Sequence, residues 1–326
     1  MKKHYVGIDL GGTKIAAALF DPDTEALNDV LVVSTRAHEG PDGVLKQIAE
    51  VVRKICQKAD VPLNEVSGVG VGMPATFDFA KGQTLLLPNI SGDWWSKPVA
   101  DILKGHLDVP IALVNDARSF TLAEATLGAG RGYPCVVGIT LGTGIGGGIV
   151  IDGKLHLGLS GSAGEVGHHS INLHGAPDGS GNPGGWESYA SGPAIAAMGV
   201  KAVMQGIDTQ IGPLVDYDLN KITPRIIVQA AEGGDRIAQG ILKQVGDYLG
   251  AGLANILIIV EPHCVVIGGG VAELGDWLLK PMLESAQQRC GRLIPFERIV
   301  ISKAKLGATA GVIGAALQAY QQIEGR

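Results

Sequence analysis

The sequence predicts a duplicated α/β fold divided into two domains, on three observations. A glycine-dense turn directly follows a short apolar run twice, as Asp9-Leu-Gly-Gly-Thr-Lys14 in the first half and Thr140-Leu-Gly-Thr-Gly-Ile-Gly-Gly-Gly148 in the second. After each turn the pattern runs through a further strand, a helix and a strand, so the two halves share an order. The length, 326 residues, exceeds the roughly 250–300 residues at which a single core stops growing.

Tyr5–Ile8 is an apolar run, and beyond the first turn Ala16–Phe20 reads as its hairpin partner. Val44, Leu45, Ile48, Val51, Val52 and Ile55 recur at helical spacing and predict a helix over 44–55. Ser67–Gly72 returns as a buried strand ended by Met73-Pro74, and Ile111–Val114 as another, stopped by Asn115-Asp116 before a helix over 119–127. Cys135–Leu141, Gly147–Ile151 and Lys154–Leu157 form a second meander, with Asp152-Gly153 as a tight hairpin turn. The longest helical pattern spans 235–258; Val265–Ile267 then leads as a strand into Gly268-Gly269-Gly270, and 308–322 is an alanine-rich helix.

Turns stripped of side chains let backbone N–H groups converge on an anion, and Thr13 or Thr143 adds a donor without bulk, so both turns read as phosphate cradles. Gly142-Thr-Gly144-Ile-Gly-Gly147 has the spacing of a dinucleotide fingerprint, but that motif opens a helix and this one continues as a strand into Asp152-Gly153. No P-loop pattern is present, and no glycine-rich loop precedes a Val-Ala-Ile-Lys strand. The net charge of −6 and the lack of a basic block exclude nucleic acid as an expected partner. The apolar stretch around 256–260 is far short of a membrane span, so no membrane partner is expected. The chain starts straight into a strand without a signal peptide, and its four cysteines have no paired spacing, which suggests reduced thiols in a cytoplasm.

Six segments occur together in order: Asp9-Leu-Gly-Gly-Thr-Lys14, Asn115-Asp116-Ala117, Thr140–Gly148, Gly164-Glu-Val-Gly-His168, Glu187-Ser-Tyr-Ala-Ser-Gly192 and Ile267-Gly-Gly-Gly270. In this register the chain resembles, over nearly its whole length, the glucokinase-like sugar kinases of the ROK family (repressors, open reading frames, kinases). The resemblance implies a two-lobed actin-like (ribonuclease-H-like) fold with the active site in the interlobe cleft. It implies a small lobe over 1–117, with the C-terminal helix 308–326 packed back on it, and a large lobe over 118–307. It also implies ATP-dependent phosphorylation of the 6-hydroxyl of glucose or a related hexose with Mg2+, by a homodimer or homotetramer. Because strand one begins by residue 5, the helix-turn-helix of the family's repressors is not expected. Other substrates remain open (N-acetylmannosamine, N-acetylglucosamine, allose, fructose, mannose), as does a non-catalytic sugar-binding regulator.

Residue by residue, the resemblance puts the general base on Asp116 and sugar contacts on Asn89, Asn115, Asp116, Glu165, His168 and Glu187. Asp9 falls where magnesium is reached through water; Gly11, Gly12, Thr13, Lys14, Gly142, Thr143 and Gly144 fall at the phosphates, and Gly268, Gly269 and Gly270 at adenosine. Each has a plainer alternative: Asn115-Asp116 is an ordinary helix cap, Asn89 and Asp9 are turn formers, Gly268–Gly270 is a strand-to-helix turn, and His168 a structural histidine. Two departures from the family pattern stand out. Where zinc-binding members carry three cysteines after the histidine, this chain has Asp178, Ser180 and Gly185, so no zinc is expected. Trp186 is then the expected anchor of that loop. In Met73-Pro-Ala-Thr-Phe, Ala75 follows the proline where the family commonly has glycine.

Overall fold

A computed structural model describes residues 4–87 and 90–325. The first series of elements is β1 (His4–Leu10), β2 (Lys14–Asp21), β3 (Ala26–Leu27), β4 (Leu31–Ser34), α1 (Gly40–Lys58), β5 (Val66–Met73), β6 (Thr76–Asp78), β7 (Gln83–Leu86), α2 (Val99–Leu107), β8 (Ile111–Asn115) and α3 (Asp116–Thr126). The second is β9 (Cys135–Leu141), β10 (Ile145–Ile151), β11 (Lys154–Leu155), α4 (Glu187–Ala190), α5 (Gly192–Met204), α6 (Pro224–Glu232), α7 (Arg236–Val260), β12 (Cys264–Gly268), α8 (Asp276–Cys290), β13 (Val300–Lys303) and α9 (Ala310–Glu324). Each strand and helix read from the sequence is present within a few residues of its expected bounds. Asp152 and Gly153 both have positive φ, 49° and 77°, as the tight turn between β10 and β11 requires.

Strand order makes the duplication explicit: β3-β2-β1-β5-β8 in one sheet, with β4 also beside β2, and β11-β10-β9-β12-β13 in the other. In the first sheet β1 runs antiparallel to β2, then parallel to β5, which is parallel to β8; Asp9 is level with Gly72, and Met73 with Asn115. The ends of three neighbouring strands therefore deliver Asp9, Met73 and Asn115 to one edge of the sheet. This is the carboxyl edge, where α/β proteins meet their ligands.

The chain divides into two compact units: residues up to Gly138 with Gly148–Gly164 and everything from Ala304, and Ile139–Gly147 with Glu165–Lys303. This division differs from a cut after residue 117, because α3 packs on α9 and the first sheet and so belongs with them. The first unit's core joins Val6, Ile8, Val69 and Val71 of the sheet to Val44, Leu45, Ile48, Val52 and Ile55 of α1. Burying such a side chain stabilises by roughly 1.5–3 kcal/mol. On the sheet's other face α9 lies so close that a Cβ on Gly70 would come within 1.7 Å of the Ala315 carbonyl oxygen. In the second unit α7 packs along α8, burying Leu242, Val245, Leu249 and Leu253 with Leu278 and Met282. No described helix is long and apolar enough to cross a membrane.

Candidate active site

In the first hairpin the Gly11 N–H donates to the Lys14 carbonyl at 2.9 Å, and Thr35 Oγ1 donates to the Gly11 carbonyl at 2.7 Å. Gly11 and Gly12 are half-buried, while Thr13 and Lys14 are exposed. Asp9, just before the turn, is half-buried; burial first, then the negative charge of Asp116, push its carboxyl up to about 6, with Lys14 opposing. Helix α9 leaves room for it, since a Cβ on Gly311 would come within 2.6 Å of Asp9 Oδ2.

At the junction of β8 and α3 the structure separates two residues that the sequence leaves equivalent. Asn115 is extended, and its Oδ1 accepts from the Ala117 and Arg118 N–H groups at 3.0 and 3.3 Å. Its Nδ2 donates to the Ala75 carbonyl at 3.2 Å, so the Met73-Pro-Ala segment is tied to the cap. Asp116 is the first helical residue, exposed, with Oδ1 accepting from the Ala117 N–H at 2.9 Å. Capping is thus the duty of Asn115.

The second hairpin is closed by the Gly142 N–H donating to the Gly144 carbonyl at 2.9 Å, and the Gly142 carbonyl accepts from the Gly192 N–H at 2.8 Å. A Cβ on Gly142 would enter open space, whereas one on Gly144 would lie 2.8 Å from Glu187 Oε2. That same oxygen accepts from the Ile145 N–H at 3.3 Å. Glu187 opens α4, so this helix start delivers a carboxylate to the back of the hairpin. Gly268 ends β12, and Gly269 has φ +91° and lies against Leu141, leaving no room for a side chain; Gly270 is open. The Val271 N–H donates to the Leu141 carbonyl at 2.9 Å, which fastens this turn to the root of the hairpin.

Glu165 and His168 flank a single 3-10 turn, Val166–His168, closed by the His168 N–H donating to the Glu165 carbonyl at 3.2 Å. In such a turn residues three apart eclipse, so both side chains share one face. His168 Nδ1 lies 2.8 Å from Asp178 Oδ2. Burial would lower the His168 pKa; the Asp178 hydrogen bond and the charges of Glu187, Asp178 and Glu165 outweigh it and raise the pKa above the ordinary value. Ligand atoms of His168, Asp178 and Glu187 lie within 4.8 Å of one another. The neighbouring His169 plays a different part, since its ring lies on Trp186 at 5.3 Å and burial lowers its pKa. His174 is exposed. Trp186 is 1% exposed and its Nε1 donates to the Tyr248 carbonyl at 2.9 Å, so the expected packing anchor is present.

The structure therefore sets Asp9 within electrostatic reach of Asp116 in one unit, and brings the Gly142–Gly144 turn to Glu187 and Gly268–Gly270 in the other, with Glu165 beside His168. Asn89 lies outside the described residues. No local rule pairs Asp178 with His168; only its place where zinc-binding members carry a cysteine hints that it lies near the histidine. Equally hidden is Glu124, a fully buried carboxylate that accepts from the Ala129, Lys305 and Leu306 N–H groups and so holds the approach to α9. The helical pattern marks both the Glu124 position and its burial only loosely, and two of the three donors come from distant sequence.

The family model described as ROK family matches residues 5–322. A glucokinase of Halalkalibacterium halodurans is 32% identical over 320 residues, covering 98% of this chain and 95% of that protein. Among solved structures, a ROK hexokinase from Thermus thermophilus aligns with TM-score 0.86 at 32% identity, covering 99% of this chain and 100% of that one. A ROK family glucokinase from Streptomyces griseus, solved in complex with glucose and AMPPNP, aligns with TM-score 0.79 at 32% identity, covering 98% and 99%. These likenesses carry the two-lobed, actin-like α/β fold class over to this protein. The chain belongs to the ROK family.

Proposed function

We propose that this ROK family member is an ATP-dependent hexose kinase that transfers the γ-phosphate to the 6-hydroxyl of glucose or a related sugar. The observation that carries the reading is the division of labour at the start of α3: Asn115 takes the cap, and Asp116 is left as an exposed carboxylate beside Asp9 at the carboxyl edge of a sheet. The relatives named glucokinase and hexokinase support a sugar kinase at modest identity.

Phosphoryl transfer asks a protein mainly to position its reactants and to offset charge, with a carboxylate to accept the hydroxyl proton. Asp116 accepts that proton as the sugar oxygen attacks the γ-phosphorus, whose bond to the β–γ bridging oxygen breaks to release ADP. Asp9, whose pKa is raised by burial and by Asp116, is a carboxylate short of positive charge, and a divalent cation fits it. Asp9 would hold Mg2+ through water, and the bound ion would offset phosphate charge. The Gly11 and Gly142 N–H groups close their own hairpins, so backbone N–H groups of Gly12, Thr13 and Lys14 would meet some of the phosphate oxygens, and those of Thr143 and Gly144 the others. The open position at Gly270 suits adenosine. Asn89, Asn115, Glu165, His168 and Glu187 bind sugar hydroxyls; a site built from such paired donors and acceptors rejects analogues that lack a hydroxyl.

A panel of hexoses and N-acetylhexosamines assayed with ATP and Mg2+ tests the reading. Glucose or a close relative is expected to give the highest kcat/KM. Sugar binding with no turnover on any member of the panel would replace the kinase by a sugar-binding regulator.

A further inference from the structure

The zinc-binding members of the family that the chain resembles hold the ion in the segment between His168 and Glu187, by a histidine and three thiolates. The residues present do not fit that ion. A closed zinc site takes four side-chain ligands, and Gly185 offers none. The space a side chain at 185 would enter is already filled, since a Cβ there would lie 2.2 Å from Asp178 Oδ2. The Ser180 hydroxyl is turned onto Asp178 Oδ1 at 2.6 Å as a donor. Asp178 itself is buried, and both its oxygens are engaged: Oδ2 meets His168 Nδ1, and Oδ1 accepts from the Ser180 N–H, the Ser180 hydroxyl and the Asn182 N–H at 2.8, 2.6 and 3.0 Å. Glu187 Oε2 is engaged by the Ile145 N–H.

We propose that Asp178 is a positioning residue whose carboxylate takes over the organising role of a metal cluster, fixing the ring of His168 for the sugar. The proposal rests on the reading of His168 as a sugar contact. An ionised carboxylate only accepts, so Nδ1 carries a hydrogen and Nε2 is the ring nitrogen left to meet a sugar hydroxyl. The backbone of His168 is tied to the same turn, because Asn182 Nδ2 donates to the His168 carbonyl at 2.6 Å. One carboxylate thus sets the 178–182 turn through Oδ1 and the histidine tautomer through Oδ2. Trp186 seals the far end of the segment by packing against Gly252 of α7.

Asp178→Asn separates the two jobs. Its amide oxygen keeps the three bonds within the turn, while its NH2 group now faces His168 Nδ1 as a donor and moves the ring hydrogen to Nε2. The expected result is a melting temperature and a KM for MgATP near wild type, with the sugar KM raised at least ~10-fold and kcat changed less, the scale of one lost hydrogen bond. The 15N shifts of the His168 ring nitrogens should exchange places. Elemental analysis should find well under one zinc per chain in both proteins. A sugar KM left unchanged by Asp178→Asn, or stoichiometric zinc whose removal alters the His168 ring signals, would overturn the proposal. Should the variant lose its fold, the wild-type ring spectrum decides, for a hydrogen on Nε2 and none on Nδ1 is incompatible with it. His168→Gln keeps the two readings apart. If it leaves the sugar KM unchanged, the sugar contact itself is wrong; if it raises the KM and Asp178→Asn does not, only the positioning role fails.

Discussion

At the first glycine hairpin a carboxylate, Asp9, is carried on β1 itself, half-buried and raised to about 6 by burial and by Asp116. At the second it is Glu187, which arrives from α4 and accepts from the Ile145 N–H at 3.3 Å. The turns are alike in glycine content and in following an apolar strand, yet one carboxylate is raised by burial and a like charge, while the other meets a backbone donor and lies with His168 and Asp178. The first environment stores an unfavourable charge that a cation or a proton can discharge; the second holds an anion in a fixed pose. The glycine turns are thus alike, and what differs is the surroundings of the carboxylate behind each.

The largest effect expected from this difference is at the first hairpin's partner. Asp116→Asn should lower kcat at least ~10²-fold, as for loss of a general base, with little change in sugar KM. A folded variant that turns over near the wild-type rate would remove Asp116 from the mechanism.

Next, the two glycines of the second hairpin should behave differently. Gly144→Val drives a side chain into Glu187 and should raise the KM of both sugar and MgATP, by ~10- to 100-fold for displacement of a positioned group. Gly142→Val enters open space within the protein and should raise only the KM of MgATP. Identical profiles for the two variants would break the assignment of Glu187 to this hairpin.

Asp9→Asn probes the same contrast through pH. The folded pKa of Asp9 is raised, to about 6, above the ordinary ~3.9. Stability from this group is therefore fully present below pH ~4, falls as pH rises toward about 6 and is lost beyond it. The variant should accordingly melt higher than wild type at pH 7–8 and show no such gain near pH 4, while its KM for MgATP rises. A melting difference independent of pH would contradict the raised pKa of Asp9.

The smallest effect is at the cap. Asn115→Ala removes two acceptor contacts at the start of α3 and should cost about 1 kcal/mol in chemical denaturation. An Asp116→Ala variant losing more stability than Asn115→Ala would return the capping role to the aspartate.

Local rules read much of this protein directly. Asp152-Gly153 turns because those two residues tolerate positive φ, and α1 and α7 carry unbroken helical periods. Other elements are obscured for identifiable reasons. α8 contains Pro281 and mixes charged residues into its apolar positions, and α5 opens with Gly192-Pro193 and carries Gly199. α6 is short, and its clearest local mark is its start, where Thr223 precedes Pro224 and Thr223 Oγ1 accepts from the Ile226 N–H. The candidate site is legible as a set of residue types in order, but local rules treat Asn115 and Asp116 as equal caps, and only the family resemblance singles out His168 from the adjacent His169.

The linear order of residues suffices for the two glycine turns, the repeated succession of strands and helices, the loss of the three thiolates, and the presence of a carboxylate at each junction. Those features depend on residues within about one turn or one strand of each other, where backbone preference and side-chain period act. Folding in three dimensions was needed to settle that Asn115 caps while Asp116 stays exposed, that the bare Cα of Gly144 admits Glu187, and that Asp178 fills the space beside Gly185 and grips His168. These are distances of a few ångström between segments that local propensity does not couple, set by how close-packed elements settle against one another.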